Sequence, residues 1–128
     1  MNGYVGNIDQ QTLNNQNFRS VVFTASHSQL VLMSLLPNED IGLEVHPNVD
    51  QFFRIEAGVG KIILNGEESE VKAGDAIVVP AGTQHNLVNT SATDSLKLYT
   101  IYSPPQHKDG VIHQTKQQAA ADTTDHLN

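Results

Sequence analysis

Short runs rich in Val, Leu, Ile and Phe, separated by turn-forming residues, fill the chain from Arg19 to Tyr102 with no long helical period between them. Arg19 to Thr24 and Gln29 to Leu36 read as two strands of a hairpin-like pair around ASHS, and Pro37, Asn38 and Asp40 end the second. Gln51 begins another extended run after a turn marked by Pro47, Asn48 and Asp50. Lys61 to Leu64 and Glu67 to Lys72 flank Asn65-Gly66, the dipeptide best able to hold positive φ at both central positions of a two-residue hairpin turn. Asp75 to Val79, His85 to Asn89 and Leu96 to Tyr102 complete the series, and Pro104-Pro105 stops the last strand. Short strands at near-regular spacing predict an all-β sandwich or barrel.

The ends of the chain are different. Residues 1–18 are rich in Asn and Gln without a sustained period and are expected to form an arm, whose Tyr4, Val5, Ile8 and Leu13 suit packing on a neighbour or an exposed sheet edge. The barrel is expected over 19–103. The tail, 104–128, is expected to hold a short helix around Lys116 to Ala121 and to fray at its end. His107 and His113 lie in this tail, where exposed histidines are common.

A chain of 128 residues suffices for one domain with its own core and not for two of ordinary size. The sequence has no cysteine, which excludes disulfides, thiolate metal sites and cysteine nucleophiles. A formal charge of −7 argues against a nucleic-acid partner and against an anionic membrane surface. No apolar run approaches transmembrane length, and MNGYVGNIDQQ lacks the basic start and apolar centre of a secretory signal, so a cytoplasmic protein is expected.

The stretch from Gly42 to Asn89 carries the candidate chemistry. Gly74, Pro80, Gly82, His85 and Asn89 are spaced G-x5-P-x-G-x2-H-x3-N, which is similar to the second signature of the cupin superfamily and matches it completely. Upstream, counting back from Gly58, Gln51 takes the place of the family's acid, His46 its second histidine and Glu44 its first. The chain thus resembles a cupin with Glu44, His46, Gln51 and His85 in place of the common His, His, Glu, His. It departs from the pattern in two respects: Asn38 stands where the opening glycine belongs, and two ligand places have changed residue type.

The resemblance implies a single cupin barrel, a double-stranded β-helix or jelly roll, holding a divalent transition metal such as Zn, Mn, Fe or Ni. The physics of the stretch supports the same convergence. Glu44 and His46 are two apart in an extended segment, so their side chains leave one face. Pro80 and Gly82 shape the turn that delivers His85. The bland readings stand beside these: a strand histidine finding any polar partner, Glu44 exposed beside a lysine, Gln51 holding a water. Asp50 lies on the opposite strand face and reads as a solvated turn acid. Phe53, Ile55, Ile77, Val79, Leu87, Leu98 and Tyr102 suit the interior. Of Tyr99 and Tyr102, three positions apart, only one is expected to point inward, where a phenol can donate a proton.

Cupin-type phosphomannose isomerases hold zinc with Gln, His, Glu and His, the same residue types with the Gln and Glu places exchanged. The resemblance therefore implies a small metalloenzyme, and the ligand chemistry suits isomerase-like proton transfer on a hydroxycarbonyl or sugar-like small molecule, with Glu44, a water or a tyrosine moving the proton and Glu44 and Tyr102 as the candidate catalytic residues. Arg54 and Lys61 are the cations the motif region offers for a phosphorylated substrate, with at least one expected to face out. Two alternatives remain open: an iron dioxygenase using His46, His85 and Glu44, and a non-catalytic barrel that binds a small ligand. Cupins of this size commonly pair through edge strands, so a homodimer is expected.

Overall fold

Asn65 and Gly66 hold φ of 49° and 85° in the turn between β4 (Val59–Leu64) and β5 (Glu67–Lys72), the two positive values that such a hairpin requires. The computed structural model describes residues 2–127; Met1 and Asn128 lie outside the described residues. The remaining strands are β1 (Arg19–Thr24), β2 (Gln29–Leu35), β3 (Asp50–Ala57), β6 (Ala76–Val79), β7 (His85–Asn89), β8 (Leu96–Ser103) and β9 (Ile112–His113), with helix α1 (Ile8–Asn14) before them and α2 (Lys116–Ala121) after. They form two antiparallel sheets, one ordered β6-β3-β8-β2-β1-β9 and the other β5-β4-β7. This is the all-β architecture that the strand spacing predicts, in the jelly-roll form that the resemblance implies, with its short C-terminal helix.

Strand register stacks the interior in rows. Met33, Leu98 and Ile55 align across β2, β8 and β3, as do Val31, Thr100 and Phe53, and then Gln29, Tyr102 and Gln51. None of these nine is more than 3% exposed. The first two rows are apolar except for Thr100, and with Leu87, Leu35 and Leu96 they make the core. Truncating a side chain as enclosed as Phe53 to alanine costs about 3–5 kcal/mol. The third row is polar, so one end of the barrel is built for hydrogen bonding and the other for exclusion of water.

Beside β7 the segment Asp40 to Glu44 runs antiparallel without becoming a regular strand. It bridges at Asp40 with Val88 and at Glu44 with His85. Gly42, at φ 112°, interrupts it and donates its N–H to the Asn86 side chain.

The structure corrects three expectations about the ends. The arm contains α1, which Asn7 caps by accepting from the Gln10 N–H, and which packs against β2, β3 and β8 of its own chain. Its sequence shows no period because only one short face, centred on buried Thr12, meets the sheet. The tail is not frayed: β9 pairs with β1, Asp125 is 1% exposed, and the Leu127 N–H donates to the Gln106 carbonyl at 2.7 Å. His107 and His113 are buried, at 1% and 5% exposure. Gln29 holds the tail down, its amide nitrogen donating to the His107 carbonyl and its amide oxygen accepting from the N–H groups of Gln106 and His107.

Candidate active site

Glu44 and His85 exchange two backbone hydrogen bonds of 2.9 Å each, so their side chains project from the same face as close neighbours. His46, two residues along, shares that face; its carbonyl accepts from the N–H of Gly82, whose φ of 83° bends the loop leading to His85. The His46 and His85 rings stand 5.3 Å apart, and the edge of Tyr102 meets His46 at 6.0 Å between centroids. Gln51 comes from the second position of β3, register partner of Tyr102. All five residues read as site candidates from the sequence therefore line the polar end of the barrel. Asp50, by contrast, is exposed and accepts from the Ala81 N–H. Tyr99 lies on the outer face against Phe52.

Each side chain has a defined donor or acceptor state. The His85 Nδ1 is 2.9 Å from the Thr83 carbonyl, which can only accept, so Nδ1 donates to it and Nε2 is the nitrogen left to face the site. The Gln51 amide nitrogen donates to the Thr100 hydroxyl at 3.1 Å, leaving its oxygen buried without a partner. His46 Nε2 is also buried and makes no hydrogen bond, with a Glu44 oxygen 3.5 Å away. Burial, with His85, His126 and Arg19 nearby, pushes His46 down to about 4, so it is a neutral imidazole at neutral pH. Burial raises Glu44 above the usual carboxylate range against the pull of Arg19, His85 and His126. Its side chain, 26% exposed, is the one that meets solvent at this end.

These donors fit a divalent ion in type: two imidazoles, an amide oxygen with nothing else to bind, and a carboxylate. Their spread is looser than that of a second group. Among the described residues, His107, Asp125 and His126 bring three such donor atoms within 4.8 Å of one another. Much of that tighter group is already hydrogen-bonded: His107 Nδ1 meets Asp125 at 2.5 Å, His107 Nε2 meets the Tyr102 hydroxyl at 3.2 Å, and His126 Nδ1 meets the Gln106 amide at 3.3 Å. With Asp125 accepting from Nδ1–H, Nε2 accepts from the phenol, giving a chain Tyr102–His107–Asp125. Burial lowers His107 to about 3 and holds the Tyr102 phenol well above its ordinary range, so at neutral pH the histidine is neutral and the phenol protonated. Burial pushes Asp125 upward, but the Lys108 N–H and His107 hold it below the usual range, as the carboxylate.

Sequence reasoning missed three participants. Arg19 was legible only as the start of a strand, and His107 and Asp125 only as tail residues. Arg19 is 5% exposed, lies beside the Tyr102 hydroxyl and has a terminal nitrogen 3.3 Å from His113 Nδ1. Arg54 and Lys61 both face outward, paired with Glu56 and Glu68.

Comparison with known proteins places this geometry in company. The sequence profile of the cupin domain matches residues 31–102. An uncharacterized protein of Bacillus subtilis, YrkC, is 50% identical over 125 residues, covering 92% of this chain, which spans 66% of that protein's length. An uncharacterized protein of Acanthamoeba polyphaga mimivirus is 49% identical over 120 residues, covering 91% of this chain and 74% of its own. The crystal structure of BH2720 from Bacillus halodurans superposes with a TM-score of 0.91 at 45% identity, covering 93% of this chain and 94% of that one.

Proposed function

The chain belongs to the cupin family, and we propose that within it the protein is a metal-dependent enzyme that moves a proton on a small hydroxycarbonyl or sugar-like substrate, as an aldose–ketose isomerase does. The observation that carries this reading is the pair of buried, unpartnered atoms, His46 Nε2 and Gln51 Oε1, next to a carboxylate raised by burial. Leaving a polar atom buried without a partner costs about 1–3 kcal/mol. A cation held by both, together with His85 Nε2 and Glu44, would remove that cost.

A bound divalent ion supplies Lewis acidity that polarises a substrate carbonyl. The rest of the chemistry is assigned to the chain itself. Glu44, raised and open to solvent on one side, takes the proton from the carbon beside the carbonyl and returns it to the neighbouring carbon. Tyr102 stands protonated; in the proposed step its one hydroxyl hydrogen turns from His107 Nε2 to the substrate carbonyl oxygen, and the phenolic oxygen recovers a proton from the neighbouring hydroxyl, so one hydrogen passes between the two oxygens as another passes between the two carbons. The core rows beneath keep bulk water from the other side.

Two measurements test the reading. Metal content of tag-free protein, after incubation with Mn, Fe, Ni or Zn, should approach one ion per chain and fall in His46→Ala and His85→Ala. Proton NMR in deuterated water should then show loss of the hydrogen next to the carbonyl of glyceraldehyde, ribose or glucose. A wild-type protein that takes up no ion sinks the proposal, as does a loaded protein that exchanges none of these hydrogens.

A further inference from the structure

Arg19 begins β1, where the register sets it between buried Met33 on β2 and buried His113 on β9, so its side chain is committed to the barrel interior. The guanidinium stacks near the Phe18 ring, 5.3 Å from its centroid, and its charge is felt by Glu44, His46, Tyr102, His107 and Asp125. Its polar contacts are to neutral groups, a terminal nitrogen meeting His113 Nδ1 at 3.3 Å and the fork meeting the Tyr102 hydroxyl; among the described residues no carboxylate approaches it within 4.0 Å, and its Nε is buried without a hydrogen-bond partner, so the charge has no counter-ion. Asp125 is engaged by His107 and the Lys108 N–H, and Asp122 by the far nitrogen of His113.

An arginine cannot relieve this by losing its proton. A buried cation with neutral partners but no counter-ion is among the most unfavourable arrangements in a protein interior. Its natural complement is an anion that enters and leaves. We propose that Arg19 is the anchor of a small monocarboxylate, which it binds through its guanidinium fork at the polar end of the barrel. The proposal rests on the reading of that end as the substrate site and narrows the substrate to an acid, such as a hydroxy acid or sugar acid. The charge of the site selects a monoanion. Arg19 is the cation facing this end, Glu44 and Asp125 are close, and Arg54 and Lys61 point outward. A phosphate dianion would bring two negative charges to one arginine already flanked by acids.

The test uses the full chain stripped of metal with EDTA, so that a carboxylate cannot bind through an ion. Glycolate, lactate and gluconate are titrated by saturation-transfer NMR and calorimetry, with neutral glycolamide and inorganic phosphate as comparisons. At least one carboxylate should bind saturably and at least tenfold more tightly than glycolamide and phosphate. Arg19→Lys should weaken that binding about tenfold, and Arg19→Gln should abolish it while still taking up metal like the wild type. No carboxylate binding to the wild type, equal binding by Arg19→Gln, or tighter binding of phosphate would overturn the assignment. Should Arg19→Gln not fold, the comparison of carboxylate with glycolamide and the Arg19→Lys variant decide the matter. Metal uptake by the wild type, His46→Ala and His85→Ala reports separately on the metal site, so the two readings fail independently.

Discussion

Glu44 and His85 lie directly opposite each other across two 2.9 Å backbone hydrogen bonds, although Glu44 belongs to no regular strand. Because the backbone sets this pairing, the side chain at position 44 keeps its place when its chemistry is changed. Glu44→Gln should therefore retain the fold and much of the bound metal, since an amide oxygen still donates to an ion, but should slow proton transfer by roughly 10²–10⁴-fold. Glu44→Ala should lose both. Metal analysis beside deuterium exchange checks this; a Gln variant that exchanges as fast as the wild type removes Glu44 from the role of base.

Tyr102 is the link between the site and the tail. Tyr102→Phe keeps the ring packed against His46 and His107 but removes the donor to His107 Nε2. The buried nitrogen left unpaired should cost about 1–2 kcal/mol in urea unfolding. If the phenol turns its hydrogen to the substrate during the reaction, turnover should fall far more than this modest destabilisation explains, with metal content unchanged. Loss of stability with full turnover would make Tyr102 purely structural.

What was legible in the sequence was what is local. The hairpin at Asn65-Gly66, the boundaries of β1, β5, β7 and α2, and the shared face of Glu44 and His46 follow from residue types a few positions apart, whereas the arrival of His85 beside them, far along the chain, was legible only through the resemblance to the cupin signatures. The placement of Arg19 beside His113 joins residues 94 apart, and Gln29 reaches 77 or 78 residues to the tail. No periodicity encodes such contacts. The partner strand β9 is only Ile112–His113, too short to give an alternating pattern, and a tail rich in Gln, Asp and His looks solvated until its polar groups find one another. Sharing a strand face with Leu98 put Tyr102 among the interior candidates, and the alternating burial along β8 agrees, but nothing in that strand shows that a histidine from the tail meets it.

His107 makes the protein sensitive to acid in a defined window. Its ordinary value is 6.5 and burial takes it down to about 3 in the folded chain. Between those values the unfolded chain binds a proton that the native chain refuses, so stability rises with pH there and is fully present above 6.5. Each such proton changes stability by about 1.4 kcal/mol per pH unit. The lowered value of Asp125 acts in the same sense at the acidic end. Urea unfolding between pH 7 and pH 4 should show this slope, and His107→Asn should flatten it by about one proton. An unchanged slope in the variant would assign the effect to other groups.

Gln29 is the residue on which the tail's position depends most. Its amide makes four hydrogen bonds, donating to the Thr24 hydroxyl at 2.9 Å and the His107 carbonyl at 2.7 Å and accepting from Gln106 at 3.1 Å and His107 at 2.9 Å. Gln29→Leu fills similar space but leaves the two buried N–H groups of the tail without an acceptor, at a cost of about 1–3 kcal/mol each. Releasing the tail is the cheaper outcome for the molecule, because the Gln106 and His107 amides then meet water while the core rows stay packed. The variant should remain a folded barrel by circular dichroism, and amide exchange should accelerate selectively over residues 105–127. With His107 and Asp125 withdrawn, Tyr102 loses its orienting partner, and turnover should fall in parallel with that exchange. A variant whose tail stays protected would show that β9 and the His113–Asp122 pair suffice to hold it.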